Sequence, residues 1–423
     1  MVVGAHVCGT EGDVSDDDAG TPLGGPGPGA GASATGDGLR RRRRRRRLGW
    51  AGVGVVALAA GAVGGGWALY AKLNGNITAD EAAAAELARY EKERPTALVR
   101  GAQNVLVIGS DTRSGDGNAR YGRNDGTERS DTTILLHLAA GRDSATAVSL
   151  PRDLMVDVPG CRHPDGRRSD PVFAQFNYAY EVGGSACSIR TVEKLTGIRI
   201  DHHVVVDFQG FKDMVDALDG VEVCLREPVN DEDAELRLPA GRVTLDGEQA
   251  LGYVRARKSL GDGSDTDRMD RQQRFLGALV NKVQSNDVLL NPVKLYPVLD
   301  AATSSLTTDP DLASLRGLYD LVRGLRDIPT ERVQFLTVPR ESYTGDANRD
   351  QLVQPDAEQL FTRLRTDEPV AVAAGTGADA SPGGGEPGEP AEPGKSGDPG
   401  EPGTGDSPAP TFSGNTAAED ICE

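Results

Sequence analysis

The chain has 423 residues, a formal net charge of −18 and only 4% aromatic residues. So acidic a molecule is excluded from general nucleic-acid or anionic-lipid binding, and any anionic ligand has to be caught locally by clustered cations. Five cysteines without a C-x-x-C or H-E-x-x-H motif argue against a structural or catalytic zinc site.

Residues 1–38 consist largely of Gly, Pro, Ala and Asp and cannot offset the entropy of ordering, so residues 1–47 are expected to form a disordered tail ending in the arginines Arg40 to Arg47. From Leu48 to Tyr70 no charge occurs for 23 residues, slightly more than the ~20 needed to cross a bilayer. Trp50 and Trp67 sit where interfacial aromatics belong, and the basic run before the span predicts a cytoplasmic N-terminus with all that follows outside. A cleaved signal ending at Ala57-Leu58-Ala59 is the competing reading. The apolar run continues well past that point, which a cleavable signal would not need. Beyond residue 71 the chain holds 38 basic and 58 acidic residues.

Residues 71–101 read as a stalk, helical over Ala79 to Glu93 and stopped by Pro95. A folded domain is expected over 102–366. Its apolar runs Asn104–Ser110, Thr132–Leu138 and Ala145–Leu150 have strand length and little polar alternation, as in strands covered on both faces. Helical patterns at Ser188–Leu195, Phe211–Leu218, Asp246–Val254 and Asp356–Leu364 interleave with extended runs at His203–Phe208, Val221–Leu225 and Val333–Val338, which predicts an α/β sandwich. Residues 367–410 form a Gly-, Pro- and Glu-rich linker, and the segment 411–423 regains apolar residues and Cys422, as if to dock. Cys161, Cys187, Cys224 and Cys422 fall outside the membrane, where disulfides form. Of the three pairings, Cys161–Cys187, which brackets one loop, and Cys224–Cys422, which pins the C-terminus, are expected.

The chemistry concentrates at strand ends and in one basic segment. Asp111 follows the first strand, Asp131 opens the second and Arg152 follows the third, where ligands of α/β sheets gather. The segment Leu251–Gln273 sets Arg255, Arg257, Arg268 and Arg271 among Asp262, Asp265, Asp267 and Asp270. Guanidinium forks suit phosphate oxygens, and two carboxylates with phosphate oxygens suit magnesium. The plainer alternative is a solvated, salt-bridged helix with acids that cap turns. Arg255 and Arg257 face one side only if the chain leaves the helix near Arg255, whereas Arg268 and Gln272 share a helical face, with Leu276, Leu279 and Val283 directed to the core. No G-x-S-x-G or Walker motif occurs, and His137 reads as a core residue.

The segments NVLVIGSDTR, RSDTTILLHL, SLPRD, TVEKLTGIRIDHHVVVDF, GEQALGYVRAR and GSDTDRMDRQQ resemble the LytR-CpsA-Psr family of wall-glycopolymer ligases, most closely its actinobacterial members. The resemblance implies an α/β domain with a central mixed β-sheet sandwiched by helices, preceded by one transmembrane helix. It implies a membrane-embedded transferase with no nucleic-acid partner, one that moves a glycopolymer phosphate from a polyprenyl pyrophosphate carrier to a peptidoglycan hydroxyl. In that family pattern Asp111 and Asp131 hold Mg2+ or Mn2+, Arg152, Arg255, Arg257 and Arg268 grip the pyrophosphate, and Asp265 and Gln272 complete the site, with Asp265 nominated to take the acceptor proton. The polyprenyl tail is expected in an apolar tunnel near Val204–Leu218 and Phe275–Val280. The competing functions are a pyrophosphatase that uses water in place of the acceptor, and a scaffold that binds lipid or polymer without turnover.

Overall fold

The computed structural model describes residues 37–110, 130–163, 165–232, 234–256, 265–285, 292–373, 410–419 and 422. The chain divides into two units, Met1–Gly65 and Gly66–Glu423. Described residues of the first unit belong to helix α1 (Asp37–Asn76), which continues into the second. Among the described residues one helix is long and apolar enough to cross a membrane, over Val53–Asn76.

In the second unit, β1 (Thr78–Ala79) and α2 (Glu81–Arg89) precede the long strands β2 (Gln103–Ser110), β3 (Ser130–Leu138) and β4 (Ala145–Leu150). A hairpin of β5 (Met155–Val158) and β6 (Val172–Gln175) leads into α3 (Phe176–Thr196), then β7 (His202–Asp207) and α4 (Phe208–Ala217). Four short strands follow, β8 (Val221–Leu225), β9 (Val229–Asp231), β10 (Leu236–Leu238) and β11 (Gly241–Leu245), then α5 (Gly247–Arg255) and α6 (Asp265–Gln284). The remainder runs α7 (Pro292–Ser305), β12 (Leu306–Thr308), α8 (Leu315–Arg326), β13 (Val333–Thr337), β14 (Arg340–Tyr343), β15 (Asp346–Leu352), α9 (Asp356–Thr366), β16 (Ala371–Ala373) and β17 (Thr411–Thr416).

The central sheet is mixed, in the order β1-β12-β7-β2-β3-β4-β13-β17-β16. Strands β7, β2, β4 and β13 share one direction, so their carboxyl ends line one edge. Alternate residues of each strand face opposite sides. Leu106, Ile108, Leu135, Val148 and Leu336 pack one face against α2, α3, α9 and β5. Val105, Val107, Ile134, Leu136 and Phe335 pack the other against α6 and α8. The first face is close to fully buried. On the second, Val107, Leu136, Val206, Leu276, Val280 and Leu321 are only partly buried, and no residue of the strongly amphipathic α8 is fully buried.

Both expected disulfides are present, Cys161–Cys187 and Cys224–Cys422. The second anchors a C-terminal segment that does more than dock: β17 enters the main sheet between β13 and β16, and β16 (Ala371–Ala373) is a strand inside the stretch expected to be linker. The helix expected at Ser188–Leu195 begins earlier, at Phe176, because a break at Gly183 and Gly184 joins two helical pieces. At α6 the core residue is Phe275, 1% exposed and 5.5 Å from the ring of Phe211, while Leu276, Leu279 and Val283 are partly buried. His137 is a core residue, bonded to Asn104 and Asp367.

Candidate active site

At the carboxyl edge of the sheet Asp131 meets Arg152, and Arg255 approaches from α5. Gly109 of β2 pairs with Thr132 of β3, but Ser110 pairs with Ser130, so Asp131 is the extra residue of a β-bulge. Bulges break strand alternation and re-aim one side chain. Strand β4 runs antiparallel to β3 with Leu150 opposite Thr133, so the residues following β4 lie beside the start of β3. Arg152 Nη1 therefore reaches Asp131 Oδ1 at 2.9 Å, and its Nε donates to Asp153 Oδ2 at 3.2 Å.

Arg255 reaches this edge by helix capping and close packing. Strand β7 ends at Asp207, whose side chain accepts from Gly210 N at 2.7 Å and starts α4 at once, leaving Phe208 at the strand end. Helix α5 starts with a capping box between Asp246 and Gln249. It packs closely on α4: a Cβ on Gly247 would lie 2.5 Å from Lys212 O, and Gly247 N donates to Asp216 Oδ1 at 2.7 Å. The last helical residue, Arg255, then lies over the Phe208 ring at 4.6 Å. The chain leaves the helix at Ala256 (φ −53°, ψ 139°), as the Arg-x-Arg reading requires.

Helix α6 spans the same edge. Gln273 Nε2 donates to Ser149 Oγ at 3.2 Å and Thr337 Oγ1 at 2.9 Å, tying the helix to the ends of β4 and β13. Arg268, one turn from the helix start, is 5% exposed. Gln272 Nε2 donates to Val254 O at 3.1 Å, so its amide holds the last turn of α5. Arg271, which composition alone leaves among solvated surroundings, is buried, and its Nη2 donates to Ala256 O. Burial pulls its guanidinium below the usual range and pushes the Asp270 carboxyl up.

Asp111 and Arg257 lie outside the described residues, and Asp265 is the first residue of α6. Ser110, the last described residue of β2, pairs with Ser130, so β2 ends beside the start of β3 and Asp131. Among the described residues no group of three or more His, Cys, Asp or Glu could hold a metal.

The structure adds residues that motif reading passed over. Arg349 Nη1 donates to Asp153 Oδ1 at 2.7 Å, Arg340 bonds both Asp350 and Thr266 at the start of α6, and Asp350 N donates to Asp153 O. Hairpin β14–β15 thus braces the β4 end and α6 together. Its signal was the Thr344-Gly345-Asp346 turn between short polar strands. For the expected tail site, Val206, Leu276 and Val280 pack on the sheet face with partly buried side chains and Val204 is buried beside them, whereas Val215 and Phe275 belong to a separate core with β8–β11.

A mixed sheet sandwiched by helices, with arginines and a carboxylate at one edge and an incompletely covered apolar face, defines an α/β protein preceded by one helix long and apolar enough to cross a membrane. The chain belongs to the LytR_cpsA_psr family, whose model matches residues 69–366. It is 34% identical over 288 residues to the cell wall biosynthesis protein LcpA of Corynebacterium glutamicum, covering 62% of this chain and 54% of that protein. It is 38% identical over 210 residues to the probable cell wall biosynthesis protein LcpB of the same organism, covering 48% and 47%. The chain thus spans about half the length of these two relatives. It is 30% identical over 284 residues to the polyisoprenyl-teichoic acid–peptidoglycan teichoic acid transferase TagT of Bacillus subtilis, covering 64% and 80%. Solved structures share the fold: a LytR-Csp2A-Psr enzyme from Actinomyces oris (TM-score 0.50, 22% identity, 64% of this chain and 93% of that one) and TagV of Bacillus subtilis (0.50, 24%, 64% and 98%).

Proposed function

We propose that this protein is a phosphotransferase that moves a glycopolymer phosphate from a polyprenyl pyrophosphate carrier to a peptidoglycan hydroxyl. The observation that carries the reading is the Asp131–Arg152 pair at the sheet edge, within the family fold and beside Arg255 and the start of α6. The partly buried apolar face beneath α6 and α8 suits the polyprenyl tail. The basic run before the span puts the N-terminus in the cytoplasm and the catalytic domain outside, an orientation suited to both disulfides.

In this reading Arg152, Arg255, Arg257 and Arg268 hold the pyrophosphate oxygens, and Gln272 positions α5 against α6. Asp111 and Asp131 would hold Mg2+ or Mn2+, which when bound offsets phosphate charge. The acceptor hydroxyl forms a new P–O bond to the phosphorus next to the glycan, the bond to polyprenyl phosphate breaks, and Asp265 takes the hydroxyl proton. Positioning and charge stabilisation provide most of the barrier lowering in phosphoryl transfer.

The full chain is the right test object, because β16, β17 and Cys422 lie beyond Thr366. With a short polyprenyl pyrophosphate glycan, a peptidoglycan oligomer and magnesium, mass spectrometry should find glycan phosphate on the oligomer. Free glycan phosphate would favour the pyrophosphatase and intact donor the scaffold.

A further inference from the structure

Beside the candidate site lies an aromatic surface with no part in phosphate binding. Phe173 of β6 is 51% exposed. The Phe173 ring stands 6.0 Å from that of Tyr343 in β14, with the planes inclined at 58°. The two hairpins meet here without burying the pair, and large apolar side chains left in water at such a junction mark a binding surface. A run of polar contacts connects it to the site. Arg152 and Arg349 both bond Asp153, and Gln175 Nε2 donates to Asp153 Oδ1 at 3.4 Å. Gln175 lies two residues from Phe173 on the same strand, hence on the same face.

We infer that Phe173 and Tyr343 form a sugar-stacking platform for the glycan strand of the acceptor. The chemistry fits a pyranose, which offers a face of C–H bonds to the electron-rich face of an aromatic ring and hydroxyls to flanking amide and guanidinium groups. The choice of acceptor over donor glycan follows from in-line displacement, where the incoming hydroxyl lies opposite the leaving group. The apolar face suited to the lipid is the one covered by α6 and α8. Hairpin β5–β6 belongs to the other face, where Val156 and Val158 join the fully buried core. The Asp131–Arg152 edge lies between them, so the platform occupies the side from which the hydroxyl enters. The inference rests on the transferase reading and names residues that would bind its acceptor.

The test is calorimetric titration of the full chain in phospholipid nanodiscs with a four-sugar peptidoglycan oligomer, and separately with a polyprenyl pyrophosphate glycan. Phe173→Ala and Tyr343→Ala should each weaken oligomer binding about tenfold, the scale of one aromatic stacking contact. Phe173→Trp should stay within about twofold of the parent, and donor binding should be unchanged in all three. Matching thermal melts would establish that the variants are folded. Unchanged oligomer affinity in both alanine variants overturns the inference, as does a loss of donor affinity instead. If the parent transfers nothing but the variants still lose oligomer binding, the platform stands and the transferase reading falls.

Discussion

Asp131 accepts from Arg152 at 2.9 Å because the residue left over by a β-bulge in β3 lies next to the residues that follow β4. Arg152 also bonds Asp153, so one planar fork serves two carboxylates. Arg152→Ala should lower kcat/KM for transfer by about 100-fold or more, the scale of losing a charge-stabilising donor. Arg152→Lys should recover little of it, because an ammonium lacks the fork. Recovery close to the parent would show that only the charge matters.

Arg271 and Arg255 should separate stability from activity. Arg271 is buried and holds the Ala256 carbonyl where α5 ends. Arg271→Ala should cost about 2–3 kcal/mol in urea unfolding, the range for a buried polar contact to a charged group. Arg255 is exposed and stacks on Phe208. Arg255→Ala should cost no more than about 1 kcal/mol, yet lose most of the transfer activity.

That contrast bears on how much could be read from residue order. Strands such as Ala145–Leu150 and helices such as Asp246–Val254 were legible because apolar runs and a capping box are local signals. The pairing of Asp131 with Arg152 was legible only as a meeting of strand ends, since a bulge depends on the register of two strands. The structural role of Arg271 was not legible, because an Arg-rich helix start carries no mark of which arginine faces inward. Hairpin β14–β15 and strands β16 and β17 were missed for a related reason. Their stretches are short and polar, or separated by 37 residues between Ala373 and Thr411, and only the sheet they complete makes them strands.

The Cys224–Cys422 bond closes a long loop, with its cysteines 198 positions apart in sequence. Cys422→Ser should destabilise the protein by about 2–4 kcal/mol. Hydrogen exchange should rise at Thr411–Thr416 and along β13, which pairs with it. Unchanged protection there would mean that β17 holds its place without the bond.

One contribution to stability should fade with rising pH. His202 Nδ1 lies 3.2 Å from Asp309 Oδ1. Burial works to lower the imidazole pKa, but the bond to Asp309 outweighs it and the net shift is upward from 6.5. Asp309 is likewise penalised by burial and held below the usual carboxylate range by His202. The His202 contribution is therefore complete below about pH 6.5 and lost as pH rises through the raised value in the folded state. Thermal melts from pH 5 to 9 should show this fall in the parent and a flatter profile in His202→Gln.

Phosphorus NMR of the full chain, turning over a polyprenyl pyrophosphate glycan with a peptidoglycan oligomer and magnesium, reports the reaction atom by atom. Transfer converts the two pyrophosphate signals into one phosphomonoester, on the polyprenol, and one phosphodiester joining glycan to oligomer, in equal amounts. That pair of signals, absent with Arg152→Ala, is the expected result. Two monoesters, or a pyrophosphate that persists, would contradict the assignment of this protein as a transferase.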